Sequence, residues 1–221
     1  FAYYKIATNS DYSVLSDEYK LDYLLIDEIQ DLSPSRIRLL SKMNKYACVM
    51  AGDLNQSVFI KRQLSWIELG MKFKDNEKDP NIKKLTNNYR STIPVQNLAN
   101  NYRRICKIKD DNAVSIPFIP GQKPEFSINR NLDDSFNKIL TKVKCFIDVM
   151  RFNAKDICIV VPTEGELIRI KGLLSDNHLE ALKIDDPRFD FKKSNDIIRL
   201  STTKMVKGID SPIIILLLSE R

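Results

Sequence analysis

Glycine is scarce in this chain, and no glycine precedes a lysine. The 221 residues contain six glycines, at positions 52, 70, 121, 165, 172 and 208. The phosphate-binding loop G-x-x-x-x-G-K-[ST] needs a lysine directly after its second glycine, because that lysine and the loop amides surround the β- and γ-phosphates of a nucleotide. The sequence therefore excludes such a loop within these residues.

Cysteine, histidine and long apolar runs are also scarce. The four cysteines form no C-x-x-C pair, which argues against a zinc site or a disulfide framework and suits a reducing cytoplasm. His178 is the single histidine, and the Ser-Asp-Asn tripeptide before it is typical of the end of a helix. The longest apolar run, Ile213 to Leu218, is too short to span a bilayer. We therefore predict a cytoplasmic protein without a membrane segment.

The remaining composition is ordinary for a globular protein. Hydrophobic residues make up 43% of the chain and charged residues 29%, so the chain can bury one good core or two small ones. The formal net charge of +6 at pH 7 is compatible with a polyanionic partner such as a nucleic acid.

Two adjacent carboxylates follow a short apolar run near the start of the chain. Asp27 and Glu28 come directly after Tyr23-Leu24-Leu25-Ile26. Strands of parallel sheets are apolar because both faces are covered, and ligands bind beyond their carboxyl ends. At such an edge Asp27 can hold Mg²⁺, and Glu28 can polarise a water that attacks phosphorus. The alternative interpretation is that both acids only begin a helix, whose N-terminus favours negative charge.

Strand-like and helical segments alternate, which predicts an α/β fold with a mainly parallel sheet. Helices are predicted to begin at Ser33-Pro34 and at Thr92-Ile93-Pro94, and an amphipathic helix is predicted over Asp133–Met150. The proline-containing segment Lys107–Pro124 is predicted to be a connection. Strands are predicted at Tyr23–Asp27, Tyr46–Ala51, Ile82–Leu85, Glu125–Ile128, Ile157–Val161, Ile197–Ser201 and Ile213–Leu218.

Three further segments follow the carboxylate pair in a specific order. They are Ala51-Gly52-Asp53-Leu54-Asn55-Gln56-Ser57, then Leu85-Thr86-Asn87-Asn88-Tyr89-Arg90-Ser91, then Ser201-Thr202-Thr203-Lys204-Met205-Val206-Lys207-Gly208-Ile209-Asp210. Together with Asp27-Glu28-Ile29-Gln30-Asp31, this set resembles motifs II to V of the UvrD/Rep-like superfamily 1 helicases, whose typical forms are DExQD, GDxxQS, NYRS and T-x-H-x-x-KG-x-E. One such motif is weak, but four in this order are specific. The resemblance covers the chain from about Tyr23 to the end.

The resemblance implies a RecA-like P-loop NTPase helicase fold. Residues 1–92 would form the C-terminal half of the first RecA-like domain, and residues 93–221 most of a second RecA-like domain. UvrD and Rep carry a large helical insertion before motif V, but only about 40 residues separate Val161 from Ser201. We therefore expect a compact relative without that insertion. In the family a Walker A loop lies upstream of motif II and a motif VI downstream of motif V, so we expect a piece of a larger motor protein that by itself neither hydrolyses ATP nor binds it tightly.

The resemblance also implies ATP and Mg²⁺ as cofactors and a role for each motif residue around them. Asp27 would hold Mg²⁺, Glu28 would orient the attacking water, and Gln56 would contact the γ-phosphate. Tyr89 would stack on the nucleotide base, and Arg90 would reach the γ-phosphate across a domain cleft. For Gln56 the alternative is a loop amide that bonds its own backbone, and for Arg90 it is a surface arginine in the turn before a helix.

The last motif implies a nucleic-acid interface and one further nucleotide contact. Asp210 would lie near the nucleotide sugar, although the family has glutamate there. The residues that would hold the backbone of single-stranded DNA, with RNA as the alternative, are Ser201, Thr202, Lys204, Lys207 and Gly208. Contacts of this kind hold a strand without reading its sequence.

Two positions depart from the family pattern. Lys204 occupies a place where many relatives have histidine. After motif III, Phe59 is followed by Ile60 and Lys61 rather than by the aromatic residue that stacks on a DNA base in UvrD-like motors. Trp66 is either a displaced stacking platform or, as we favour, part of a helix core.

We interpret the chain as part of an ATP-dependent DNA helicase or translocase, with the remainder of its own full-length chain as a partner. One alternative is a non-catalytic nucleic-acid-binding or scaffold domain that kept the fold. The other is the helicase part of a helicase–nuclease. A G-x-x-x-x-G-K-[ST] loop upstream in the full protein would favour the motor over the scaffold.

Overall fold

The computed structural model describes residues 20–53, 83, 85–106, 116–187 and 196–218. The chain divides into two compact units, Phe1–Glu125 and Phe126–Arg221, which are taken separately below. The boundary after residue 92 that the motifs predict differs from this division and stays a prediction about family domains.

The first unit contains a pair of parallel strands joined by a helix. Strand β1 spans Leu21–Ile26, helix α1 spans Pro34–Leu40 and strand β2 spans Asn44–Met50. The two strands pair in parallel with Ile26 opposite Met50. Ser33 caps α1 by accepting a hydrogen bond from the Arg36 amide at 3.4 Å, and Pro34 occupies the first turn, as the sequence predicted.

A second parallel pair lies later in the first unit. Strand β3 spans Asn87–Thr92, helix α2 spans Ile93–Ile105 and strand β4 spans Ile116–Ile119. Asn87 pairs with Ile116 and Thr92 with Ile119. The predicted start of α2 at Thr92-Ile93-Pro94 is confirmed.

The second unit is built on a four-stranded sheet. Its strands are β5 (Ile157–Val161), β6 (Ala181–Lys183), β7 (Ile198–Thr202) and β8 (Ile213–Leu216). They lie in the order β6-β7-β5-β8, and all three pairings are parallel. Helix α3 spans Leu132–Lys144 and continues as one π-helical turn over Cys145–Val149, and helix α4 spans Glu164–Asp176.

The core of the second unit lies around the central strand β5, whose five residues are all buried. The predicted amphipathic stripe of α3 enters this core through Phe136, Ile139 and Val143. Helix α4 contributes Leu167, Ile170 and Leu174. Burial on this scale is what stabilises a parallel sheet, since each fully buried aliphatic side chain contributes about 1.5–3 kcal/mol.

Three local predictions are wrong. Glu125–Ile128 is not a strand, and Phe126 and Ile128 are exposed. The predicted connection Lys107–Pro124 contains strand β4, because pairing with β3 outweighs the local effect of Pro117. Strand β1 is apolar but not covered on both faces, since Leu25 is 78% exposed.

The α/β class with parallel pairing is confirmed. The predicted strand Ile82–Leu85 falls partly outside the described residues, and Lys83 and Leu85 belong to no strand. In the part of the chain that the structure describes, no helix is both long and apolar enough to cross a membrane.

Candidate active site

Asp27 and Glu28 lie directly beyond the carboxyl end of β1. The Asp27 carboxylate accepts a hydrogen bond from the Glu28 amide at 2.8 Å, and both residues are exposed. Glu28 adopts a left-handed conformation, with φ 52° and ψ 41°, and caps a 3-10 turn over Ile29–Asp31. A non-glycine residue with positive φ is uncommon and costs free energy, so the surrounding contacts must hold it there. The reversal at Glu28 leaves both carboxylates at the edge of the sheet.

Backbone hydrogen bonds continue the parallel pairing past the end of β1. The Ala51 amide donates to the Ile26 carbonyl at 2.8 Å, and the Ile29 amide donates to the Ala51 carbonyl at 3.0 Å. These two bonds bring the segment that follows β2 alongside the carboxylate pair. The motif that begins at Asp27 and the motif that begins at Ala51 are distant in the sequence. Parallel pairing of β1 with β2 brings them together.

Gln30 connects these two segments through its side chain. It is buried, with 1% of its surface exposed. Its amide nitrogen donates to the Glu28 carboxylate, and its amide oxygen accepts from the Asp53 backbone amide at 3.1 Å. The motif pattern by itself indicates no role for Gln30.

Gly52 allows this close approach because it has no side chain. A Cβ atom at position 52 would lie 2.4 Å from the Gln30 amide oxygen and 2.6 Å from Cγ2 of Ile29. Both distances are below normal contact, so the glycine is required by space rather than by backbone conformation.

The Asn88 side chain organises the turn that contains Arg90. Its carbonyl oxygen accepts from the amides of Arg90 and Ser91, both at 2.9 Å, and its nitrogen donates to the Gln96 side chain at 2.9 Å. Gln96 is buried and donates in turn to Asn100 on the next turn of α2. This network holds the backbone at Arg90 through its amide, while the residue itself is exposed.

Tyr89 forms an exposed aromatic pair with Phe118 of β4. The two rings are stacked, with centroids 5.5 Å apart and planes inclined by 14°. The Tyr89 hydroxyl accepts a hydrogen bond from Asn87 at 3.1 Å, and Tyr89 remains 72% exposed. Phe118 was not predicted as a functional residue, because it lies in the segment predicted to be a connection. The apolar run Ile116–Ile119 was the signal that could have identified it.

In the second unit, a tight turn follows the carboxyl end of β7. The Thr203 amide donates to the Val161 carbonyl at 3.0 Å, and the Thr202 carbonyl accepts from the amides of Met205 and Val206, both at 3.0 Å. Ser201 and Thr202 are buried, whereas Lys204 is exposed.

The same turn continues through Gly208 to Asp210. Gly208 has φ +76°, a conformation that favours glycine, and Lys207 before it is half-buried. Arg199 donates from Nη1 to the Asp210 carbonyl at 2.9 Å and so holds the end of the turn against β7. Arg199 was not identified from the sequence.

Arg199 also faces a buried thiol on the neighbouring strand. Burial raises the pKa of Cys158 to about 11, and the positive charge of Arg199 offsets part of that rise. A thiol with such a pKa stays protonated at neutral pH, so Cys158 is an unreactive core residue.

The predicted residues that the structure describes are distributed over both units. Asp27 and Glu28 lie together with Asp53, and Tyr89 and Arg90 lie on the second strand pair of the same unit. The five predicted nucleic-acid-binding residues and Asp210 lie in the second unit. Gln56, Phe59 and Trp66 are outside the described residues. Among the side chains that are described, no group of three or more His, Cys, Asp or Glu could hold a metal by itself.

Comparison with known families identifies the segment around the carboxylate pair. Residues 4–76 match the model of the UvrD/REP helicase N-terminal domain. Over these residues the chain is similar to a UvrD/Rep-like helicase. The matched residues include β1, α1, β2, both carboxylates and the Gly52–Ser57 motif, so the resemblance stated from the motifs is confirmed there. A search of curated proteins found no match.

The contact between Gly52 and Gln30 leads to a stability prediction. We expect Gly52→Ala to lower the free energy of unfolding by about 1–3 kcal/mol, because the added methyl group forces Gln30 and Ile29 to move. Gly172→Ala is the matched control: nothing lies within 4 Å of its Cβ position in α4, so it should stabilise by about 0.5–1 kcal/mol. Urea denaturation followed by circular dichroism measures both. A neutral Gly52→Ala would contradict the close packing.

Proposed function

We propose that this chain is part of an ATP-dependent DNA helicase or translocase that couples ATP hydrolysis to movement on single-stranded nucleic acid. The observation that carries the proposal is the family match, which spans the carboxylate pair at the end of β1 and the segment beside it. The proposal includes a RecA-like fold with ATP and Mg²⁺ as cofactors. It assigns residues 1–92 to the first RecA-like domain and residues 93–221 to the second.

The carboxylate pair supports the proposed role in ATP hydrolysis. Asp27 suits Mg²⁺, because that ion prefers oxygen ligands and is usually bound through one or two carboxylates together with substrate phosphates. When bound, Mg²⁺ would neutralise charge on the phosphates. Glu28 is exposed beside Asp27 and would orient the attacking water.

The segment after β2 would report on the same phosphates. Asp53 is hydrogen-bonded to Gln30, and Gln56 follows three residues later in the chain. We propose that Gln56 bonds the γ-phosphate and links hydrolysis to the nucleic-acid side. An amide suits that task because it can accept or donate a hydrogen bond without a fixed charge.

The exposed side chains of β3 support a nucleotide-binding role. A nucleotide base stacked on Tyr89 would extend the existing pair with Phe118, and aromatic stacking favours offset parallel rings of this kind. Arg90 would neutralise charge on the γ-phosphate in the transition state. Asp210 would contact the nucleotide sugar.

The turn after β7 would hold the nucleic-acid backbone. Lys204 is exposed, and the left-handed Gly208 leaves its backbone open to close approach by a phosphate. Lys207 would add a second positive charge. Because Ser201 and Thr202 are buried, we propose that they support the turn and contact the strand mainly through it. Single-stranded DNA is the proposed ligand, with RNA as the alternative.

The first functional test replaces Glu28 in the complete protein. Glu28→Gln should keep ATP binding but lower turnover by about two orders of magnitude or more, because it removes a general base and not a binding contact. The new side chain can still accept the hydrogen bond from Gln30, so the turn should persist. Steady-state ATPase assays with single-stranded DNA measure turnover.

Asp22→Asn is the matched control for Glu28→Gln. Asp22 lies on β1, the strand that precedes Glu28, is exposed and pairs with Lys45 at 3.4 Å, so its loss should leave turnover nearly unchanged. If Glu28→Gln hydrolysed ATP at the wild-type rate, Glu28 would have a structural role only. A wild-type protein that hydrolyses no ATP would favour the scaffold alternative.

The second functional test replaces Arg90. Arg90→Ala should lower ATP turnover about a thousandfold while ADP affinity stays nearly the same, because ADP has no γ-phosphate for the guanidinium to meet. The turn should survive, since Asn88 holds it through the Arg90 backbone amide. Arg90→Lys should rescue little, because a point charge cannot reproduce the planar guanidinium.

Arg104→Ala serves as the control for Arg90→Ala. Arg104 is an exposed arginine at the end of α2 and donates to Asn101 at 3.2 Å. Turnover should be unaffected by its loss. Equal losses of ADP and ATP affinity in Arg90→Ala, measured by calorimetry, would mean that Arg90 supports the fold instead.

The third functional test concerns Lys204 and the salt dependence of binding. Lys204→Ala should weaken binding of single-stranded DNA several-fold and reduce the slope of log affinity against log salt by about one, the contribution of about one phosphate contact. Lys138→Ala removes one positive charge from the exposed side of α3 and should change neither quantity appreciably. Fluorescence anisotropy over a salt series measures both. Equal effects of the two variants would argue for a general charge effect.

A further inference from the structure

Gln30 is the buried polar side chain that joins the carboxylate pair to the segment after β2. Only 1% of its surface is exposed. A buried amide without partners would cost about 1–3 kcal/mol, so its hydrogen bonds determine whether it can occupy this place. Both ends of the amide are satisfied, one by a side chain and the other by the main chain.

The chemistry of the two partners leaves one orientation for the amide. An ionised carboxylate only accepts hydrogen bonds, and a backbone N–H only donates. The Gln30 nitrogen must therefore face Glu28, and its oxygen must face Asp53, which is the arrangement in the structure. A glutamate at position 30 could still serve Asp53 but would repel Glu28, and methionine could serve neither.

Three neighbouring features keep Gln30 in this position. The Ile29 amide is bonded to the Ala51 carbonyl, so the residue before Gln30 is tied to the end of β2. Gly52 has no Cβ atom, so the Gln30 amide oxygen can lie close to the backbone there. The left-handed backbone of Glu28 sets the point from which its side chain leaves the main chain toward Gln30.

We propose that Gln30 is a positioning residue for hydrolysis: it holds the Glu28 carboxylate in place and links it to the backbone at Asp53, so that movement of the segment after β2 is passed to the water-orienting group. The inference rests on the proposed function, since it assigns Gln30 a task in the same reaction. Gln30 acts through Glu28 and does not touch the nucleotide.

The test compares Gln30→Met and Gln30→Glu in the complete protein. Both variants lose the bond to Glu28, so both should lower kcat for ATP hydrolysis with single-stranded DNA about tenfold or more. ATP affinity, measured by calorimetry, should stay within about twofold of the wild-type value. A residue that only stabilised the fold would reduce kcat and affinity together.

A double-mutant cycle with Glu28→Gln separates positioning from a general structural effect. If Gln30 acts through Glu28, adding Gln30→Met to Glu28→Gln should change kcat by less than about twofold. Losses that multiply in the double variant would overturn the inference. So would an unchanged kcat in Gln30→Met.

Hydrogen–deuterium exchange tests the link to Asp53 without any activity. The Asp53 amide should exchange faster in Gln30→Met than in the wild type, whereas Gln30→Glu, which keeps an acceptor, should protect it. Gln96→Met is the control: it removes another buried glutamine of the same unit and should leave the peptide containing Asp53 unchanged. Unchanged exchange in Gln30→Met would overturn the inference.

The two kinds of failure are distinguishable. A complete protein that hydrolyses no ATP refutes the proposed function, and exchange at Asp53 then decides whether Gln30 makes the link. An active wild type with an unaffected Gln30→Met variant refutes the inference alone.

Discussion

Parallel strand pairing brings the carboxyl ends of strands that are distant in sequence to one edge of a sheet, and the carboxylate pair and the turn after β7 follow such ends. Ile26 lies opposite Met50, so the segments that begin at Asp27 and Ala51 leave the sheet side by side. In the second unit Val161 lies opposite Thr202, and the turn that begins at Thr203 is bonded to the end of the neighbouring strand. Ladder hydrogen bonds fix this register, and a slip of one residue would turn every side chain to the other face.

The first site depends on small, specific contacts rather than on a large buried core. The Gln30 amide bonds the carboxylate of the left-handed Glu28 and the backbone at Asp53. Gly52 leaves space for this amide because it has no side chain. The strained backbone at Glu28 and the buried amide of Gln30 both cost stability. Costs of this kind are typical of functional sites. The second unit is different, since its central strand is fully buried and its turn rests on an apolar core.

The sequence predicted the strongly patterned elements well. The run Ile157–Val161 is apolar throughout and forms the buried centre of a sheet, and the α3 stripe of Phe136, Ile139 and Val143 repeats at helical spacing and enters the core. The prediction failed where a long-range partner decides the outcome. Ile116–Ile119 becomes a strand by pairing with β3, whereas Glu125–Ile128, also predicted as a strand, is irregular.

The motif residues, their order and the α/β class can be predicted from the sequence alone, because short motifs and hydrophobic periodicity are local properties. Tertiary structure alone decided that Gln30 joins Glu28 to Asp53, that Tyr89 stacks on Phe118 and that Arg199 holds the carbonyl of Asp210. Each of these contacts joins side chains or main-chain groups whose partners are set by strand register and turn geometry. Those depend on pairing between distant segments, which local pattern does not encode.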